Sequence, residues 1–233
     1  VAKMRGICGQ RKIGHTGTLD PQATGVLPVC LGSGTKLCDM LTDRDKEYVA
    51  ELLLGIETDT QDMTGQVLRE RPVEATEETA REAIMGFVGT YGQIPPMYSA
   101  LKVDGKKLYE LARAGREVER EARSVTIHAI DILKMELPEV KMRVKCSKGT
   151  YIRTLCADIG EKLGCGGAMK SLVRTAVGGF KLEDAVTLGE LEKLRDAGRL
   201  RDVVIPVDRM FEDCPALHTK KEGDRLLNNG NEI

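Results

Sequence analysis

The sequence has no tryptophan, only three phenylalanines and five tyrosines, so aromatic side chains are scarce and one found inside a motif is not easily dismissed as generic core. No run of about 18 apolar residues exists, which argues against a membrane span. The N-terminus lacks a charged segment leading into an apolar stretch, so no signal peptide is indicated, and a soluble, cytoplasmic protein is the expectation. The three histidines lie near no cysteine pair and in no HExxH pattern. The seven cysteines, Cys8, Cys30, Cys38, Cys146, Cys156, Cys165 and Cys214, are odd in number, scattered and never in a CxxC pair. They read as reduced, mostly buried thiols, and no metal is expected.

Net charge is also nearly absent, at −1 over 233 residues. That argues against a uniformly basic nucleic-acid binder, but the charge is segregated. Residues 1–12 carry four basic and no acidic side chains, residues 134–174 nine basic against four acidic, and residues 39–82 five basic against thirteen acidic. Such a distribution suits a protein that meets phosphates on one face, and it equally suits ordinary solvated charge runs.

With 41% hydrophobic residues, the chain can bury a proper core as one large domain or two small ones. KEYVAELLLG, residues 46–55, predicts a strand, and the polar stretch 56–66 a loop. Thr76 is placed to cap a helix whose apolar face is Ala80, Ala83, Ile84, Phe87 and Val88, ended by Gly89 and Gly92. Residues 92–123 hold two adjacent prolines, three glycines and seven Lys or Arg, with a short helical signal at Leu108, Leu111 and Ala112. They read as an exposed, mobile insertion. Val125–Leu133 predicts a strand, and Val140, Met142, Val144 and Cys146 alternate with Lys141, Arg143 and Lys145 as a second strand with one apolar and one basic face. After Gly149, a helix capped by Thr150 carries the stripe Ile152, Leu155, Cys156, Ile159 and Leu163. Thr187 and Glu190 form a capping box for a last helix. Strands and helices mix irregularly, without a repeated βαβ unit, so the expected class is α+β.

Chemistry concentrates in residues 14–36, GHTGTLDPQATGVLPVCLGSGTK, a loop rich in Gly, Thr and Pro that holds one carboxylate. Pro21 biases Asp20 away from helical geometry, and Gly14, Gly17 and Gly25 permit close backbone approach, which presents Asp20 at the rim of a cleft. On local grounds alone, Asp20 as a residue that caps a turn is the commoner outcome. A P-loop is excluded, because neither Gly14–Thr18 nor Gly32–Lys36 supplies GxxxxGK[ST]. A hydrolase pairing Asp20 with Asp59 or Asp62 is a distant alternative.

The stretch KIGHTGTLDPQATGVLPVCLGSGTKL resembles the signature of the bacterial tRNA pseudouridine-55 synthases, the TruB family. KEYVAELLLGIETDTQDMTG, IPPMYSALKVDGKKLYELARAGREVE, CSKGTYIRTLCADIGEKLG and LVRTAVGGF extend the resemblance in order over roughly residues 1–195. It implies a mixed, mainly antiparallel sheet flanked by helices and a cofactor-independent isomerase that flips one uridine, U55 of the tRNA T-loop, out of its stack. It assigns catalysis to Asp20, as nucleophile or as base on the sugar, and places Arg153 beside that carboxylate. Tyr48 matches the ring that stacks on the target base, and Tyr151 a second aromatic of the pocket. His15 resembles the residue that fills the space of the flipped nucleotide, Asp62 a carboxylate that orients Arg153 or the base, and Leu172 an apolar wall. Residues 93–123 match an RNA-clamping insertion, with Lys102, Lys106, Lys107 and Arg113 as phosphate contacts.

The family pattern would place a strand and a KP-containing turn before Val1, so the catalytic domain, residues 1–205, is expected to lack its first strand. Residues 206–233 would be the start of a truncated PUA-like domain. The expected partner is the tRNA T-arm, bound by a monomer without a protein partner or a membrane. A guide-RNA-dependent synthase and a non-catalytic tRNA-binding chaperone are the rival readings, and the clamp-like IPPMYSALKVDG segment favours the stand-alone enzyme.

Overall fold

The computed structural model describes residues 1–103, 105–212, 214, 215, 218 and 221–229. In chain order, helix α1 (Ala2–Cys8) leads to the short strands β1 (Ile13–His15), β2 (Thr24–Gly25) and β3 (Val29–Leu31) and to helix α2 (Cys38–Thr42). Strands β4 (Lys46–Leu54), β5 (Ile56–Thr58) and β6 (Val67–Glu70) precede helix α3 (Glu77–Met85) and strand β7 (Gly89–Gln93). Two-residue strands β8 (Lys102–Val103) and β9 (Lys106–Lys107) and helix α4 (Leu108–Arg113) occupy the insertion. Strands β10 (Arg123–Glu136) and β11 (Glu139–Cys146), helix α5 (Ile152–Lys162), and strands β12 (Gly167–Val177) and β13 (Phe180–Lys181) follow. They complete a compact unit, Val1–Ala185; a second unit, Val186–Ile233, holds helices α6 (Leu188–Asp196) and α7 (Lys221–Asn228).

The main sheet runs β13-β12-β4-β11-β10-β7, with β2 added beside β12. Every pairing in it is antiparallel except β2 with β12. Period-two patterning decides the faces. In β11, Val140, Met142, Val144 and Cys146 are fully buried while the intervening positions are exposed, as the alternation predicts. On β4 the buried parity is Lys46, Ala50, Leu52 and Leu54, with Tyr48 between them. Helix α5 covers this face with Ile152, Leu155, Cys156 and Ile159. The opposite face is polar, where Glu47 and Glu51 accept from Thr175 and Ser171.

Several elements depart from the sequence expectation. The stretch 56–66 opens with a strand, because Ile56–Thr58 pairs with Val67–Glu70. Helix α3 is capped by Thr76, but it ends at Met85; Phe87 and Val88 fall outside it, and Gly89, at φ 112°, turns the chain into β7. Thr150 does not cap α5: its hydroxyl donates to the Ser147 carbonyl at 3.0 Å, and Tyr151 occupies the cap position.

The height of α5 over the sheet is set by a backbone contact. A Cβ added at Gly160 would lie 2.1 Å from both Gly166 C and Gly167 N. Gly160→Ala is expected to destabilise the protein by about 3 kcal/mol, at the upper end of overpacking costs, because backbone cannot rotate away as a side chain can. Urea unfolding measures this. A variant as stable as the parent would show that α5 has freedom to rise.

Candidate active site

Asp20 sits between β1 and β2, where the local chemistry builds a turn rather than a helix. The Ala23 amide donates to the Asp20 carbonyl at 2.9 Å with Pro21 at the second position, its favoured place in a turn. The main chain closes the turn, so the carboxylate need not cap it. Instead the side chain meets Arg153, whose Nη2 donates to Oδ1 at 3.2 Å and whose Nε lies 2.8 Å from Oδ2. Nε lacks the alignment of a hydrogen bond, so the pair is held by one hydrogen bond and by charge. Exposure is asymmetric: the Asp20 side chain is 35% exposed and that of Arg153 5%.

Arg153 lies in the first turn of α5 and its guanidinium has further anchors. Nη1 donates to the Thr60 carbonyl at 3.0 Å and Nη2 to the Tyr98 carbonyl at 3.1 Å. Thr60 is presented by a loop that Asp62 organises. Asp62 Oδ1 accepts from the hydroxyls of Thr60 and Thr64 at 2.8 and 2.5 Å and from the Thr64 amide at 2.9 Å. Oδ2 is 3.8 Å from Arg153 Nη1, too far for a hydrogen bond. Asp62 therefore acts on Arg153 chiefly through the loop. Gln61, next to it, takes the left-handed φ of 63°, and its Oε1 accepts from the Thr154 hydroxyl at 2.7 Å.

Tyr48 is half-buried, and burial pushes its phenol up to about 12, with the Asp20 charge adding in the same direction. In register, Tyr48 opposes Arg174, and Leu172, 7% exposed, opposes Ala50, so these side chains share the α5 face. Tyr151 is half-buried two residues before Arg153, and Gln93 grips its peptide. The Tyr151 amide donates to Gln93 Oε1 at 2.7 Å, and Gln93 Nε2 donates to the Tyr151 carbonyl at 3.1 Å. His15 lies in the β1–β3 ladder opposite Val29, with a buried Nδ1 that has no hydrogen-bond partner among the described residues. Lys102, Lys106 and Lys107 form the β8–β9 ladder; Lys107 Nζ and the Arg113 guanidinium lie 5.3 and 5.5 Å from the Tyr109 ring centre. Of the sequence-derived candidates, Asp20, Arg153 and Asp62 meet directly, Tyr48 and Leu172 share one face of the sheet, and Lys107 and Arg113 converge on Tyr109 beside Lys102 and Lys106. His128, on β10, pairs with Asp45 at 3.2 Å.

Four residues in this constellation carried no role in the sequence reading: Thr60, Gln93, Tyr98 and Arg174. Thr60 and Tyr98 act through carbonyl oxygens, which no side-chain pattern reveals. Gln93 is 1% exposed and lies in a segment whose composition reads as a loop. Arg174 had a usable signal, a cation on the same strand parity as Leu172.

Gln93 also joins a buried network. Its Nε2 donates to the Tyr91 hydroxyl at 2.5 Å, and that hydroxyl lies 3.3 Å from Asp158 Oδ2. Burial pushes the Asp158 carboxyl up to about 6, against the Tyr91 hydrogen bond, and the Glu161 charge adds to the rise. The folded chain then holds a proton that the unfolded chain has released between about pH 4 and about 6, so stability is lost as pH rises through that window. Asp158→Asn is expected to gain stability relative to the parent as pH goes from 4 to 7, a difference read from thermal melts. Parallel curves would contradict this.

Residues 5–152 match the model of the TruB family pseudouridylate synthase N-terminal domain, and residues 153–212 that of the tRNA pseudouridylate synthase B C-terminal domain. This chain belongs to the TruB family. A TruB relative named tRNA pseudouridine synthase B, from Lachnoclostridium phytofermentans, is 58% identical over all of this chain and 78% of its own length. Another of that name, from Alkaliphilus oremlandii, is 49% identical over all of this chain and 77% of its own. Among solved structures, a Cbf5-Nop10-Gar1 complex contains a chain with a TM-score of 0.75 and 30% identity over 99% of this one. An H/ACA RNP bound to a substrate RNA containing 2′-deoxyuridine contains one with a TM-score of 0.73 and 27% identity over all of it. The present chain spans 62% of the length of each of those two chains. The TruB fold class, a mainly antiparallel sheet flanked by helices, agrees with the α+β expectation.

Proposed function

We propose that this chain isomerises uridine to pseudouridine in tRNA, at position 55 of the T-loop, as a monomer in the cytoplasm that needs neither a guide RNA nor a protein partner. The observation that carries the reading is the exposure of the Asp20 carboxylate in front of a buried Arg153. A counter-charge fixed behind the carboxylate leaves its outer edge free to face a ribose. The reaction breaks the C1′–N1 bond, turns the uracil and joins C1′ to C5; C5 loses a proton and N1 gains one. Atoms and electrons balance within the substrate, so no cofactor or co-substrate is needed. Asp20 acts as nucleophile at C1′ or as base on the sugar.

In this reading the uridine leaves its stack and enters beside Tyr48, with Leu172 and Tyr151 as further walls. His15 fills the vacated position. Asp62 shapes the loop that orders Arg153, and Lys102, Lys106, Lys107 and Arg113 meet phosphates from the insertion. The names of the relatives at 58% and 49% identity support tRNA as substrate. The test is to incubate the purified protein alone with unmodified tRNA transcript and map pseudouridine chemically. A single modified T-loop uridine is expected. Modification only after a guide RNA is added would favour the guide-dependent reading, and RNA binding without modification the chaperone.

A further inference from the structure

Arg174 is among the most deeply buried side chains of the protein, 2% exposed. A guanidinium is expensive to bury, and it is usually matched by a carboxylate. Here its fork closes instead on two main-chain carbonyls: Nε donates to Val26 O at 2.7 Å and Nη2 to Gly17 O at 3.2 Å. These residues lie on either side of Asp20 in sequence, so one side chain holds both feet of the Asp20 loop. The backbone reinforces the grip. The Val26 amide donates to the Arg174 carbonyl at 2.9 Å, and β2 pairs in parallel with β12 at Thr24 and Gly25. Gly25 is required there, since its φ is 110° and an added Cβ would lie 2.1 Å from the Arg174 oxygen.

Arg174 also opposes Tyr48 in the β12–β4 register. The guanidinium charge draws the Tyr48 phenol down against the larger rise that burial gives it. Lys46, also buried on that face, sends its ammonium away to the carbonyls of Thr42 and Arg44 at 2.5 and 2.6 Å. Arg174 thus bonds the Asp20 loop from a position opposite Tyr48.

We propose that Arg174 is a positioning residue for the isomerisation: its guanidinium sets the separation between the Asp20 loop and the Tyr48 ring, and with it the depth at which uracil meets the carboxylate. This rests on the functional reading above. Lysine cannot replace it, because a single ammonium on a flexible stem cannot reproduce a planar fork that serves Gly17 and Val26 from a position opposite Tyr48.

The experiment compares the parent with Arg174→Lys in single turnover on saturating unmodified tRNA transcript, normalised to the RNA-binding-competent fraction. Hydrogen exchange of residues 17–26 is measured in parallel without RNA. The rate constant is expected to fall at least about thirtyfold, with RNA affinity within about twofold of the parent. Exchange in the loop is expected to quicken roughly tenfold. Gly25→Ala, which pushes the loop off β12 and keeps the guanidinium, is expected to give the same signature. Should Arg174→Lys not fold, this second variant decides. Parental turnover in the folded fraction would overturn the proposal, leaving Arg174 a staple for stability. A loss of rate matched by an equal loss of affinity would also overturn it, as an RNA contact. A parent that forms no pseudouridine would overturn the functional reading instead, and the exchange measurement would still decide whether Arg174 holds the loop.

Discussion

Asp20→Asn is expected to lower the rate of pseudouridine formation at least about a thousandfold, while RNA affinity stays within about twofold of the parent. Asparagine preserves shape and removes the anion, so the variant isolates charge from volume. Its amide would also turn a donor toward a guanidinium whose Nε lies 2.8 Å from the carboxylate, which disfavours the parental arrangement. Binding is expected to survive because the proposed phosphate contacts, Lys102, Lys106, Lys107 and Arg113, lie in the insertion. Single-turnover assays with chemical mapping and a filter-binding titration give the two quantities. Turnover within tenfold of the parent would remove Asp20 from the mechanism.

Arg153→Lys is expected to cost roughly a hundredfold in rate with little change in affinity. The substitution keeps a positive charge, so it tests geometry. Arg153 reaches Asp20 Oδ1, the Thr60 carbonyl and the Tyr98 carbonyl from two nitrogens, with Nε against Oδ2. An ammonium is a compact point charge that cannot span these acceptors in one plane. Arg153→Met goes further, leaving Asp20 and the largely buried Asp62 without their counter-charge. It is expected to lose about 3 kcal/mol of stability, the lower end for a broken buried pair because Asp20 is a third exposed. Turnover of the lysine variant within threefold of the parent would show that charge alone suffices.

Much of the fold was legible because its elements follow simple periods. The strict alternation in 140–146 and the apolar stripe from Ile152 to Ile159 each need only one partner surface, and both are found. What sequence reading missed involves partners outside the element being read. Thr150 precedes a helix and reads as its cap, yet the Ser147 carbonyl takes its hydroxyl first. The run 56–58 is polar and short, and only its partner 67–70 makes it a strand.

The site divides the same way. Asp20 and Arg153 could be nominated from motif resemblance, and the structure brings them together. Local reasoning about Asp20 was right about the turn but had the carboxylate cap it, whereas the main chain closes the turn and the carboxylate meets Arg153. Gly17 and Gly25 were expected to admit another chain; in the structure Gly25 admits the backbone of Arg174, from a strand that no window around the loop contains.

The Tyr98 carbonyl that accepts from Arg153 belongs to the first leg of the insertion. Since that acceptor is main chain, replacing the Tyr98 side chain leaves the bond in place, and alanine scanning from 94 to 101 cannot register it. Grafting or shortening the insertion would break it. The insertion and the Asp20 site are therefore not interchangeable cassettes: a chimera that swaps the insertion also rewires the arginine behind the Asp20 carboxylate.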